Sequence, residues 1–206
     1  MTFDGAKPSV MGKNILIRSL QSFVVIPILA TNFATFPLVS TKLPTVAVSM
    51  SEEIRLLDEK STDNKQEERI IKAKQIDNYF LDNGMKPLVG YGMKMVLAAE
   101  ANDIDSYLLP AIAVRESTGG IHACKSVPNN AWGWHSCKRG FKSYNEAIDT
   151  IAKHLGGNMT TTAKYYENKT TIQILESYNP RSIVPRYPEQ VMNIMKNIET
   201  HTTQEA

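Results

Sequence analysis

No stretch of this chain alternates apolar and polar residues over a convincing strand length, and no segment repeats. From residue 70 onward its apolar residues recur three and four positions apart. A chain that offers only helical stripes must bury them against one another, so the expected fold is a compact all-α domain over about residues 70–200. The first stripe, Ile70, Ile71, Ile76, Tyr79 and Phe80, stops at Asn83-Gly84. Met93, Val96, Leu97 and Ala98 mark a second helix, ending around Asn102-Asp103. Leu109, Ile112 and Ala113 mark a third, with Asp105 as its expected cap and Pro110 forcing a late start or a kink. Ser143 and Glu146 form a capping-box signature for a helix through Leu155, closed by Gly156-Gly157. Further helical patterns cover about Thr161–Tyr166, Thr171–Tyr178 and Glu189–Thr200. The loop at 117–140 is left for a disulfide-closed excursion or a short hairpin. With 42% hydrophobic residues in 206, the chain can fill one real core and carry extra segments besides.

The third helical stripe ends on an acid. Leu109, Ile112, Ala113 and Glu116 share one face, so Glu116 continues an apolar stripe and its carboxyl is expected to turn towards the core. Poor solvation there favours the protonated form. From Ser117 through Asn145 there is no Asp and no Glu, and inside that stretch lies Asn129-Asn130-Ala131-Trp132-Gly133-Trp134. A lone carboxyl beside flat rings and amides suits cleavage of a glycosidic bond: the acid protonates the leaving oxygen, and rings and amides hold the sugar. The bland alternative is a structural carboxylate that caps a loop or pairs with Arg115. Trp132 and Trp134 divide in the same way, one expected in the core and one in a groove. Glu146 and Asp149 are the next acids along the chain, better explained by a helix start and a solvated face than as a second catalytic acid.

Charge separates the ends of the chain. Residues 1–49 carry Lys7, Lys13, Arg18 and Lys42 against Asp4, a net +3, which leaves −1 of the total +2 for everything after them. The domain is therefore near neutral and has no footprint for nucleic acid. Within residues 1–49 the uncharged run Ser19–Thr41 follows three basic residues. This is the pattern of a signal or membrane anchor that leaves the remainder outside the cytoplasm. Ala47-Val48-Ser49 resembles a cleavage site, but it stands far beyond the apolar run, so an uncleaved anchor is the preferred reading. Residues 42–50 read as a linker and 50–69 as a charged spacer outside the core. In an exported chain the two cysteines, Cys124 and Cys137, are expected to bond and close the acid-free loop. The rival is a zinc site, because His122-Ala-Cys124 and His135-Ser-Cys137 repeat a His-x-Cys pattern.

These residues resemble a known family. Arg115-Glu116-Ser117-x-Gly119 looks like the Glu-Ser-Gly signature of lysozyme-like peptidoglycan hydrolases and lytic transglycosylases. Asn130-Ala131-Trp132-Gly133-Trp134 is similar to the Asn-x-Phe-Gly-Ile element that follows it. Phe141-Lys142-Ser143-Tyr144 with Ala147-Ile148, and Tyr178-Asn179-Pro180 with Tyr187 and Val191, resemble later elements of the glucosaminidase type. The likeness spans about residues 75–198 in the right order and points to a mannosyl-glycoprotein endo-beta-N-acetylglucosaminidase-like domain of the lysozyme-like superfamily. It implies a compact lysozyme-like helical fold with Glu116 as general acid and then base. Tyr178 is implied as its catalytic helper, and Ser117, Asn130, Trp132, Trp134, Asn179 and Tyr187 as residues that bind the glycan strands of peptidoglycan. No metal or organic cofactor is implied. Many enzymes of that type carry a second acid after the catalytic one; this chain has none there, which points away from a two-carboxylate mechanism.

Overall fold

The computed structural model describes the backbone of residues 46–201 and the side chains of Arg55 and residues 60–201. The expected anchor at 1–49 lies outside the described residues up to residue 45. No helix among the described residues is long and apolar enough to cross a membrane. Seven α-helices run through the described residues: α1 (Val46–Asp82), α2 (Gly92–Glu100), α3 (Leu108–Ser117), α4 (Tyr144–Leu155), α5 (Ala163–Tyr166), α6 (Thr171–Tyr178) and α7 (Tyr187–Glu199). Short 3₁₀ turns stand at Lys86–Leu88 and Trp134–Cys137. No strand occurs among the described residues, so the loop after α3 holds no hairpin.

Helix α3 organises the domain. Leu108, Leu109, Pro110, Ala111, Ile112 and Ala113 are all buried, so this helix is apolar on every side. A helix of that kind must be surrounded, and α2, α4 and α7 pack around it. Truncating Leu109 or Ile112 to Ala would cost about 2–5 kcal/mol through lost burial and the cavity left behind. Pro110 neither delays nor kinks α3, because it sits in the first turn, where the missing N–H has no helical acceptor to lose. Asp105 does not cap it directly. Its Oδ1 accepts from the Tyr107 N–H (2.8 Å) and shapes the turn leading in. Burial lapses after Ala113: Val114, Arg115 and Glu116 are only partly covered. The helix thus emerges from the core where its acid stands.

The linker and spacer are helical where they are described. From Val46 to Asp82 the chain is one helix of 37 residues. No Pro or Gly interrupts it, and its Glu, Lys, Gln and Leu are strong helix formers. Residues 60–68 are exposed, so the charged stretch does stay outside the core. Glu68 pairs with Lys72 one turn on, and Arg69 meets Glu100 of α2 at 2.6 Å where α1 joins the domain. At the other end Gly84 (φ +70°) ends α1 as expected, with Met85 N–H reaching back to the Phe80 carbonyl (2.7 Å) and Gly84 N–H to that of Leu81. The capping box on α4 is half made: Ser143 Oγ accepts from Glu146 N–H, but Glu146 accepts from Lys142 rather than from Ser143.

Candidate functional site

A cleft of about 490 Å³ opens at the end of α3. One side is the Trp132–Ser136 segment, another is α5 with Tyr165 and Tyr166, and the third is the end of α6 from Ser177 to Pro180, with Ile183 beyond. Glu116 is the one carboxylate among the residues that line it. Its carboxyl turns to this cleft and is half-buried rather than sealed in the core. The Tyr187 hydroxyl donates to Glu116 Oε1 at 2.6 Å. The other oxygen faces Gly133: a Cβ at Gly133 would lie 3.3 Å from Glu116 Oε2, and the residue sits at φ +63°. Glycine therefore satisfies two needs at once there, a left-handed backbone and room beside the carboxyl.

Behind the cleft runs a ladder of rings. Tyr187 stacks on Tyr178 (6.1 Å, 9°), Tyr178 leans on Trp134 (5.8 Å, 39°), and Trp134 on His154 (4.9 Å, 41°). The Arg115 guanidinium lies 5.7 Å over the Tyr187 ring and donates to Gln190 Oε1 (2.9 Å). Arg115 thus braces the tyrosine that holds Glu116, and it forms no ion pair with the acid among the described residues. Burial, and then the Glu116 charge, push the phenols of both Tyr187 and Tyr178 well above the usual tyrosine range. Both stay protonated and act only as neutral hydroxyls.

The residues expected to contact a ligand separate into two groups. Glu116, Trp134, Tyr178 and Asn179 line the cleft. Ser117, Asn130 and the Trp132 ring do not reach it; their polar groups hold the framework. Ser117 Oγ donates to the Ala131 carbonyl (2.6 Å) and accepts from Gly120 N–H. Asn130 is fully buried, with Nδ2 on the carbonyls of Trp134 and Arg139 and Oδ1 accepting from Trp134 N–H. The fully buried Trp132 ring donates from Nε1 to the Leu109 carbonyl at 2.9 Å. These bonds pin the loop to α3, so the three residues set the position of the cleft wall and have no free polar atom for a sugar. The tyrosines exchange places as well. Tyr187 touches the acid, whereas the Tyr178 hydroxyl donates to the Trp132 carbonyl.

Neither weak second-acid candidate approaches. Asp149 pairs with Lys94 (2.6 Å), and Glu146 serves the start of α4. Cys124 and Cys137 are bonded, their Cα atoms 5.6 Å apart, so both sulfurs are taken and the His-x-Cys zinc reading falls. Thr162 and Tyr165 in the cleft wall, and His154 behind it, were not legible as site residues in the sequence, and Gly133 was legible only as part of the Asn130-Ala131-Trp132-Gly133-Trp134 element. Thr162 Oγ1 shares a 2.7 Å hydrogen bond with His154 Nδ1. The remaining nitrogen of His154 and the indole nitrogen of Trp134 are buried without a partner among the described residues. Burial first, then the charges of Arg139 and His135, hold the His154 pKa below the usual histidine range, so a neutral ring backs Trp134. Only the helical spacing that carries Ile148, Ile151 and Leu155 into the core gave a signal for His154.

No protein-family model, curated protein or solved structure matches the chain. The motif likeness to lysozyme-like glucosaminidases therefore stands on the residues quoted for it.

Proposed function

We propose that this protein is an exported glycosidase that cuts the glycan strands of peptidoglycan, with Glu116 as its general acid. One observation carries the reading: a single carboxyl, held at Oε1 by a neutral phenol and open at Oε2, stands in a cleft walled by aromatic rings. The fixed oxygen sets the rotamer, and the free one is the atom that would deliver a proton to the glycosidic oxygen as an oxocarbenium-like transition state develops. Trp134, Tyr178 and Asn179 would border the sugar. Residues 1–49 would hold the domain at the membrane, outside the cytoplasm. Protease added to intact spheroplasts should then digest the domain; full protection would reject that topology.

The lone acid favours a specific form of the chemistry. With no second carboxylate lining the cleft, an enzyme carboxylate has no position from which to attack the sugar or activate a water opposite Glu116. The substrate's own N-acetyl group or 6-hydroxyl would take that role. Internal attack by the hydroxyl gives the anhydro-sugar of a lytic transglycosylase, and attack by water on the assisted intermediate gives a reducing end. The test is digestion of purified peptidoglycan by the native protein and by Glu116→Gln, with mass spectrometry of the products. The variant should lose at least a hundredfold in rate while its thermal midpoint stays within a few degrees. Equal cleavage by folded Glu116→Gln would sink the assignment. Binding without cleavage by the native protein would leave a glycan-binding module.

A further inference from the structure

We infer that the disulfide-closed loop beside the cleft is a docking surface for a carboxylate-bearing polymer, reading the acidic substituents of a strand whose neutral rings pass Glu116. The inference rests on the cleft being where a glycan strand lies, but not on its being cut there. Its ground is unbalanced charge. Between Ser117 and Asn145 the chain carries Lys125, Lys138, Arg139 and Lys142 and no acid. All four are exposed. The Cys124–Cys137 bond joins the immediate neighbours of Lys125 and Lys138, and Arg139 follows directly, so three cations gather around one crosslink. Ser126 Oγ bonds the Cys137 carbonyl and draws the two strands of the loop together there.

Four cations elsewhere on the domain meet acids, Arg69 with Glu100, Lys72 with Glu68, Lys94 with Asp149, and Arg181 with Glu176 and Glu189, and others such as Lys74, Lys86 and Lys196 stand in stretches that also carry acids. None of these ion pairs involves the loop. Lys142 is set aside, because the Glu146 carboxylate sits on its backbone N–H (2.6 Å). That leaves Lys125, Lys138 and Arg139 without a carboxylate partner among the described residues. His135 and Ser136 of the same loop line the cleft, two to four positions before Lys138 and Arg139 in the chain, and the Arg139 guanidinium lies 5.7 Å over the Phe141 ring.

The pattern selects the partner. A nucleic-acid strand threaded through the cleft would bring a phosphate against the Glu116 carboxylate. Neither tryptophan beside that carboxyl offers a face for base stacking, since Trp132 is fully buried and Trp134 is 7% exposed. A glycan that carries its carboxylates on side substituents avoids both conflicts. Its neutral ring meets Glu116 while its acids lie outward on Lys125, Lys138 and Arg139. Peptidoglycan, with acids on its lactyl and peptide branches, is the probe of that chemistry.

The experiment uses the full chain with Glu116→Gln, so that binding is measured without turnover. Insoluble peptidoglycan is offered native and after amidation of its carboxylates, from 50 to 200 mM salt. Three screened contacts predict that binding to native material falls about tenfold over that range, and that amidated material binds weakly and with little salt dependence. Combined Lys125→Gln, Lys138→Gln and Arg139→Gln substitutions should lower native binding by about tenfold and flatten the salt response. Lys125→Arg, Lys138→Arg and Arg139→Lys together should retain both. Helicity and the disulfide, checked in each variant, separate a lost surface from a lost fold. Equal binding by the folded triple-Gln variant, or to amidated peptidoglycan, overturns the inference. Tighter binding to duplex DNA than to peptidoglycan at equal salt replaces the glycan with nucleic acid. A native protein that binds carboxylate polymer but never cleaves it leaves this surface standing and removes the glycosidase reading.

Discussion

At the scale of single residues, the chemistry depends on how one carboxyl is held. Glu116 stands on the last turn of α3, where the core ends, and a single phenol fixes one of its oxygens. That phenol is buried and stacked, so Tyr187→Phe keeps the ring in place and deletes only the hydrogen bond. A hydrogen bond to a charged group contributes about 1.5–3 kcal/mol. The expected outcome is a loss of ten- to a hundredfold in kcat with KM nearly unchanged, read from the rate of peptidoglycan digestion. Tyr178→Phe is the control, because its hydroxyl donates to the Trp132 carbonyl and not to the acid. It should cost about 1 kcal/mol of stability and much less rate. If Tyr178→Phe slowed turnover as much as Tyr187→Phe, the division of roles between the two tyrosines would be wrong. The sequence pointed to both tyrosines but not to which one meets Glu116. Each lies more than sixty residues from it in the chain, and only the docking of α6 and α7 decides which hydroxyl arrives.

At the scale of elements, helices and loop are stabilised by different means. The helices bury apolar faces against one another, with α2, α4 and α7 packed on α3, while the loop between α3 and α4 contains no helix longer than the 3₁₀ turn at Trp134–Cys137. The loop is held by the Cys124–Cys137 bond, by Asn130, and by the Pro128 carbonyl accepting from Phe141 N–H. A crosslink closing a loop of this size stabilises by about 3 kcal/mol on the chain-entropy account. Reduction should therefore loosen the loop before the helices, since local opening needs less free energy than global unfolding. Titrating with reductant should abolish cleavage while far-ultraviolet circular dichroism holds. Simultaneous loss of both signals would mean that the loop and core open as one unit. The crosslink was legible in the sequence from two cysteines and an exported character. The left-handed backbone of Gly133 and of His135 to Cys137, which carries the loop around the acid, was not. Local spacing does not encode it; it follows from where Asn130 and Trp132 anchor.

At the scale of the whole molecule, the ring ladder ties the cleft to overall stability through His154. Its pKa is held below the usual histidine value by burial, with Arg139 and His135 adding repulsion. A folded-state pKa below the unfolded one means that the unfolded chain takes up the proton first. Stability is therefore whole above the unfolded value of about 6.5 and declines as pH falls below it. The thermal midpoint should drop between pH 7 and pH 5, and His154→Gln should flatten that drop. An unchanged slope in the variant would show that other groups carry the acid sensitivity.

The sequence by itself determined the class of the fold and most of its elements, because helical periodicity, caps and stops act over a few residues. The stripe through Leu109 and Ile112, the stop at Gly84 and the segment Thr171–Tyr178 could all be read directly. It also singled out Glu116, through an apolar stripe ending on an acid beside an acid-free loop. Tertiary structure alone decided which polar residues keep free atoms. Ser117 and Asn130 look like ligand contacts in the chain, yet core burial obliges each to satisfy nearby backbone groups, because an unpaired polar atom there is too costly. The charged spacer kept its solvated character, and the structure added that it is helical. Composition marked it as solvated, while the absence of any breaker and the continuity with Ile76 and Phe80 made it one helix with the domain.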